Sequence, residues 1–328
     1  ETGGQPPWTL RYGPFDEQDF LDLPESNYSL LVSECEKWLP ELTDLVDQFR
    51  FLPDWRIDDL MISYAPTGGS VGPHVDQYDV FLLQALGPRR WQYSEAPAQE
   101  EANIPGQDLA FLQDFRPDRE EVLNPGDILY LPPGFAHHGV ALEACMTYSI
   151  GFRAPTAASV LESFAMESER AGARVERYRD AELELDRHHA EITDLEILRL
   201  RNLAMNLLQQ SPELWQDAVG KMLSDSPVTP ESDDLQPVYV SDLIASDWAR
   251  HPDTRMLFHQ TELDIQVYYN GHMHLLPRGR EILAHVQQLC EQREWSVELI
   301  RQCIEIEPLE KFLVELASRG AIEPLREL

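Results

Sequence analysis

The chain has 328 residues, 43% hydrophobic and 26% charged, which is ordinary globular composition and length enough for two or three compact units rather than a disulfide-stapled miniprotein. Its 58 acidic side chains outnumber 26 basic ones, a formal charge of −32, and that field repels phosphate backbones and anionic lipid, excluding free nucleic acid as a partner. No run of about eighteen uninterrupted apolar residues offers a membrane span.

Lys37, Lys221 and Lys311 are the only lysines; every other basic residue is arginine. An acidic, lysine-poor surface suits either a salt adaptation or a basic protein partner. Cys35, Cys145, Cys290 and Cys303 stand far apart in no metal-binding spacing, and nothing near the start resembles a secretory h-region, so reduced thiols in a cytoplasmic protein are expected. The opening Glu1-Thr2-Gly3-Gly4-Gln5-Pro6-Pro7 lacks an initiator Met and is expected to carry no fold information.

In chain order, Tyr28 to Phe49 places Leu30, Leu31, Cys35, Trp38, Leu39, Leu42, Leu45, Val46 and Phe49 near helical spacing, which predicts a helix. From about Leu60 to Phe152, short apolar runs alternate with Pro and Gly: Leu60–Tyr64, Val80–Leu83, Arg90–Tyr93, Asp127–Leu131 and Met146–Ile150. Several are apolar on both faces, as strands enclosed in a barrel would be. Residues 1–155 thus read as a helix-flanked β-barrel.

After Pro155 the punctuation nearly vanishes. Ala157 to Gln210 is rich in Glu, Arg, Leu and Ala, and Leu195, Leu198, Leu203, Met205, Leu207 and Leu208 form an apolar face too large for a solvated helix. Residues 156–225 are therefore expected to be a helical segment that self-associates, as a symmetric homodimer. Ser224 to Pro237, with three prolines among acids and serines, reads as a linker.

Beyond it, the pattern predicts a helix over Val240–Ala249, a strand over Arg255–Gln260, a hairpin over Leu263–Leu276 turning at Asn270-Gly271, and helices over Arg278–Cys290 and Ser296–Arg319. Helices with a small hairpin make residues 226–328 winged-helix-like, and the whole chain α+β. Many such folds bind DNA, but 18 acidic against 9 basic residues here favour a protein-contact or structural role.

The chemistry concentrates in the barrel. Gly68-Gly69-Ser70-Val71-Gly72-Pro73-His74-Val75-Asp76 is a glycine-rich loop that ends in a His-x-Asp pair just before an apolar strand. In extended chain, residues two apart share a face, so the His74 imidazole and the Asp76 carboxylate can converge. Leu131-Pro132-Pro133-Gly134-Phe135-Ala136-His137 supplies a third candidate after a rigid turn, with His138 competing for that role. Two histidines and one carboxylate form the facial triad of non-haem Fe(II) oxygenases, which leaves positions open on the iron. Such iron needs a reductant for O2, and 2-oxoglutarate is the economical choice. Its far carboxylate calls for a cation inside the barrel, for which Arg89 and Arg90 compete; period-two geometry lets at most one point inward.

His272 and His274 share a strand face and are a second possible metal pair, read instead as a hairpin edge. His188-His189 reads as surface. Trp91, Tyr78 and Tyr93 lie near the triad and could line a substrate channel, but are read instead as barrel core.

Gly72-Pro73-His74-Val75-Asp76-Gln77-Tyr78-Asp79-Val80-Phe81, Pro88-Arg89-Arg90-Trp91, Pro125 to His137, and Ser149-Ile150-Gly151-Phe152-Arg153-Ala154-Pro155 together resemble the bacterial JmjC-type ribosomal oxygenases of the cupin superfamily. The resemblance implies a double-stranded β-helix that uses Fe(II), 2-oxoglutarate and O2 to hydroxylate an arginine side chain of large-subunit ribosomal protein sixteen. It places His74, Asp76 and His137 at the metal, Arg89 rather than Arg90 on 2-oxoglutarate, and Ser63 at a polar contact from the neighbouring strand. His138 departs from the family's pattern, in which a different polar residue follows the ligand histidine. Two other functions compete: demethylation of an N-methylated basic protein, and a non-enzymatic cupin with a winged-helix binding module.

Overall fold

The computed structural model describes residues 9–98, 111–172, 176–179, 188–210, 212–226 and 237–325. The opening heptapeptide and most of the expected linker, residues 227–236, lie outside the described residues. The chain divides into two compact units, Glu1–Ala154 and Pro155–Leu328.

The first unit begins with helix α1 (Glu17–Leu21), whose Asp16 forms a capping box with Asp19. Strand β1 (Leu30–Val32), helix α2 (Pro40–Asp47) and strand β2 (Ile57–Ala65) follow. The single helix expected over Tyr28–Phe49 is thus a strand, a short 3-10 turn at Cys35–Lys37 and a helix. Two physical causes override the helical spacing. Leu30, Leu31 and Val32 pair with Tyr64, Ser63 and Ile62 at the sheet edge, and Glu34 adopts the left-handed conformation at φ 58°, which no right-handed helix continues through.

Then come β3 (His74–Val75), β4 (Val80–Leu86), β5 (Arg89–Tyr93), β6 (Arg119–Leu123), β7 (Ile128–Leu131), β8 (Ala136–Ala141) and β9 (Cys145–Phe152). They assemble as two sheets, ordered β1-β2-β9-β4-β7 and β3-β8-β5-β6, with antiparallel pairing throughout. Val80, Leu82, Trp91, Leu123 and Leu131, drawn from both sheets, cluster in the interior. On the other face of the larger sheet, Leu60, Ile150 and Phe152 pack with Cys35, Val46 and Phe49. Strands buried on both faces explain the runs that lack polar alternation.

The second unit opens with helices α3 (Ala157–Arg170), α4 (Asp194–Gln210) and α5 (Pro212–Ser224). Next are α6 (Val240–Leu243), β10 (Trp248–Arg250), β11 (Met256–Gln260), β12 (Asp264–Tyr269), β13 (His272–Pro277), α7 (Arg280–Glu291), β14 (Glu294–Trp295), α8 (Val297–Ile304), α9 (Glu307–Ser318) and β15 (Ile322–Pro324). Asn270 and Gly271 take positive φ, 46° and 71°, and join β12 to β13 as the turn signal predicts.

Two helices differ from expectation. The one expected over Val240–Ala249 stops at Leu243, because Trp248 and Ala249 pair with β14 and β15 in a three-stranded sheet. The one expected over Ser296–Arg319 breaks into α8 and α9, where Ile306 is extended at φ −108° and ψ 101°. Pro308 has no N–H to offer the carbonyl four residues earlier, so the first helix cannot run on through it.

Candidate metal centre and its neighbouring cation

Two short strands set the geometry. Gly72 takes φ 79° and turns the loop into β3, where His74 stands directly opposite His137 on β8 in an antiparallel ladder. Cross-strand partners on one face approach closely, and the two imidazole centroids are 4.2 Å apart at 61°. Asp76 follows just past β3, and its carbonyl accepts the Gly134 N–H at 2.8 Å, which ties the His-x-Asp loop to the Pro-Pro-Gly turn ahead of His137. Loop and turn thus hold each other in register.

Backbone carbonyls fix which nitrogen of each ring is available. His74 Nδ1 lies 2.9 Å from the Gly72 carbonyl and His137 Nδ1 lies 3.0 Å from that of Phe135. A proton on each Nδ1 satisfies both bonds and leaves the Nε2 lone pairs free. Those Nε2 atoms face Asp76, with Oδ2 at 3.9 Å from His74 and 3.5 Å from His137. One donor atom from each residue falls within 4.8 Å of the others. Burial, with His74 beside it, lowers the His137 pKa to about 4, so its imidazole is neutral near pH 7, as ligation requires. Two imidazoles and a carboxylate suit a divalent first-row metal.

His138 points away from this cluster, as strand alternation dictates. Its half-buried ring rests 6.3 Å from Phe115. Trp91 is buried in the barrel core, 6.0 Å from the His137 ring. Tyr78, expected in the barrel core, is instead exposed on one side, while partial burial together with the Asp76 carboxylate pushes its phenol pKa up.

Arg89 is the other unusual feature. Gly87 takes φ 60° in the turn from β4 to β5, which carries the chain from one sheet to the other and sends Arg89 inward. The side chain is 1% exposed, while Arg90, next along the strand, is half-buried. Arg89 Nη1 donates to Ser63 Oγ and to Thr147 Oγ1, each at 3.1 Å, so the guanidinium crosses from the smaller sheet to the larger. Nη2 donates to the Gly139 carbonyl at a long 3.4 Å, Nε has no partner, and the group lies over the Trp91 ring at 5.0 Å. Among the described residues no carboxylate pairs with it, and burial lowers its pKa. A buried cation with donors to spare and no counter-ion fits a carboxylate ligand.

Sequence reasoning named His74, Asp76, His137, Arg89 and Ser63, and the structure brings them into two clusters inside one barrel. It missed Thr147, Gln84 and Gly139, which surround Arg89. The available signal was a polar residue at an inward position of an otherwise apolar strand, as Gln84 is within Val80–Leu86. The second histidine pair is committed elsewhere: His274 Nδ1 lies 2.6 Å from Glu315 Oε2, and His272 Nε2 lies 3.5 Å from Arg319 Nη1.

A two-sheet antiparallel barrel that holds a His, Asp and His cluster and a buried arginine is the architecture of an oxygenase-type cupin. A JmjC domain model matches residues 44–160. The Escherichia coli ribosomal protein uL16 3-hydroxylase is 42% identical over 222 residues, covering 67% of this chain and 58% of that protein. The matched stretch is therefore less than two thirds of that relative's length. The crystal structure of E. coli ycfD superposes with a TM-score of 0.79 at 34% identity, covering 96% of this chain and 83% of that one. A second YcfD structure, of a ribosomal oxygenase in complex with cobalt and 2-oxoglutarate, gives a TM-score of 0.76 at 32% identity, covering 96% and 83%. This chain belongs to the JmjC-type ribosomal oxygenase family.

Proposed function

We propose that this chain is an Fe(II)- and 2-oxoglutarate-dependent oxygenase that hydroxylates an arginine side chain of large-subunit ribosomal protein sixteen. The observation that carries the oxygenase reading is the triad of His74, Asp76 and His137 in the same barrel as Arg89, a buried cation with no carboxylate partner among the described residues. The substrate reading draws on the uL16 3-hydroxylase it resembles and on a charge of −32, which attracts a basic protein.

Bound Fe(II) with 2-oxoglutarate supplies the oxidising power, one oxygen atom of O2 entering the substrate C–H bond while 2-oxoglutarate loses CO2 and becomes succinate. The chain's part is geometric. His74 and His137 present their Nε2 atoms because each Nδ1 faces a backbone carbonyl, and Asp76 adds the carboxylate ligand. Arg89 receives the far carboxylate of the cosubstrate, with Ser63 acting on it through the guanidinium.

Three further parts belong to this reading. Residues 1–155 form the catalytic domain, 156–225 a helical dimerisation segment and 226–328 a winged-helix-like domain, in a cytoplasmic homodimer. Support for the dimer is the exposure of Leu195, Ile197, Leu198, Leu200 and Met205 on α4, more apolar surface than a solvated helix normally leaves open. Sedimentation at micromolar concentration reads dimer if this holds and monomer if it does not.

The deciding experiment is anaerobic assembly with Fe(II) and 2-oxoglutarate, then O2 and total ribosomal protein, with mass spectrometry of every product. One oxygen gained on protein sixteen is the expected result. A lost methyl group identifies a demethylase instead, and absence of 2-oxoglutarate turnover sinks the oxygenase reading.

A further inference from the structure

Behind Arg89 lies a chain of hydrogen bonds whose donor sense is fixed at its far end. The Gln84 amide nitrogen donates to the Leu86 carbonyl at 3.0 Å and to the Gly87 carbonyl at 2.8 Å, where β4 slips register against β9. Two carbonyls can accept only from the NH2, so the Gln84 oxygen must face the other way. There it accepts the Thr147 hydroxyl at 2.9 Å. With that hydrogen committed, Thr147 Oγ1 can only accept from Arg89 Nη1. Ser63 is held alike, its hydroxyl aimed at the Thr147 carbonyl at 3.4 Å. Both hydrogens of Nη1 are thus used, and the remaining donor capacity sits on Nη2 and Nε. Gln84 and Thr147 are both fully buried, so no water competes for these groups.

We infer that Gln84 and Thr147 are positioning residues that orient the Arg89 guanidinium toward the distal carboxylate of 2-oxoglutarate. They thereby set how strongly the chain prefers that dicarboxylate to a 2-oxo acid of equal length without it. The inference rests on the cosubstrate reading above. A guanidinium free to rotate in a buried space must be ordered at the moment of binding, and one already held by oriented acceptors binds without that cost. The same acceptors satisfy Nη1 when the pocket is empty, which keeps the buried cation tolerable in the absence of a counter-ion.

The test is calorimetric titration of the Co(II)-loaded full chain with 2-oxoglutarate and with 2-oxopentanoate, which chelates the metal alike but ends in a methyl group. Thr147→Val, which keeps the shape and removes the hydroxyl, is expected to weaken 2-oxoglutarate binding about tenfold, with 2-oxopentanoate and Co(II) binding unchanged. Thr147→Ser restores the preference. Gln84→Met, which frees the Thr147 hydroxyl to rotate, gives a smaller loss in the same direction. In turnover, the KM for 2-oxoglutarate rises while kcat at saturation holds. Should Thr147→Val fail to fold, Thr147→Ala reads the same ratio. A wild-type preference retained in the Val or Ala variant overturns the inference alone. A wild-type chain that binds the two acids equally removes the cosubstrate reading and this inference with it.

Discussion

Each unit brings two strand histidines together with a carboxylate, with opposite results. In the barrel, His74 and His137 spend Nδ1 on backbone carbonyls and turn Nε2 toward Asp76. In the C-terminal unit, Glu315 is saturated: it accepts from Tyr269 Oη at 2.6 Å, contacts His274 at 2.6 Å and accepts from Arg319 Nε at 3.1 Å. Arg319 also stands against His272, and a cation beside a ring nitrogen repels a metal. The residue types match, so what separates a ligand set from a structural clamp is where the hydrogen bonds around it go. His274 packs against Phe312 at 5.0 Å, and the Glu315 clamp fastens the β13 hairpin to α9.

The sharpest way to break that contrast is to remove one histidine from each set. His137→Ala is expected to abolish stoichiometric Fe(II) or Co(II) binding and to cut activity by at least about a hundredfold. His274→Ala and His138→Ala are expected to retain one metal per chain. Elemental analysis after dialysis reads all three. Retention by His137→Ala with loss in His138→Ala reverses the assignment.

Legibility in the sequence follows the same division between local and distant causes. His74 and Asp76 are two residues apart in extended chain, so their convergence could be read directly. His137 needed only the rigid Pro132-Pro133-Gly134 turn before it. Arg89 over Arg90 came from the family pattern, since alternation allows either one inside. The partners of Arg89 were hidden because the contacts cross sheets, Thr147 being 58 residues away in sequence. The helix expected over Tyr28–Phe49 failed for a like reason, since the fate of Leu30–Val32 is decided by pairing with Ile62–Tyr64. The Asn270-Gly271 turn, whose requirement is local, was read correctly.

A medium effect is expected where the C-terminal sheet meets α5. A Cβ built on Gly220 falls 2.3–2.5 Å from ring atoms of Tyr268, whose side chain is 2% exposed. The missing side chain is what lets the ring lie against the helix backbone. Gly220→Ala is expected to lower stability by about 1–3 kcal/mol through overpacking, despite the better helix propensity of alanine. Denaturant unfolding measures it, and metal content should not change. A neutral or stabilising result would mean that helix and sheet separate at little cost.

The smallest effect tests the Glu315 clamp by pH. Its hydrogen bond with His274, then that from Tyr269, outweigh the opposing burial and lower the Glu315 pKa from 4.5 to about 2. A carboxylate with a depressed folded pKa adds stability that is fully present above its unfolded pKa. That contribution is lost as pH falls through the window from 4.5 to about 2. The group is substantially solvent-screened, which reduces the contribution to about 1 kcal/mol. Glu315→Gln should therefore cost about that much at pH 7 and flatten the part of the acid-unfolding curve between those values. Metal affinity at the barrel should stay at the wild-type level across the series. A Glu315→Gln variant whose acid limb matches wild type would show that the clamp is replaceable by any hydrogen-bonding side chain, and the contrast with Asp76 would then rest on geometry rather than charge.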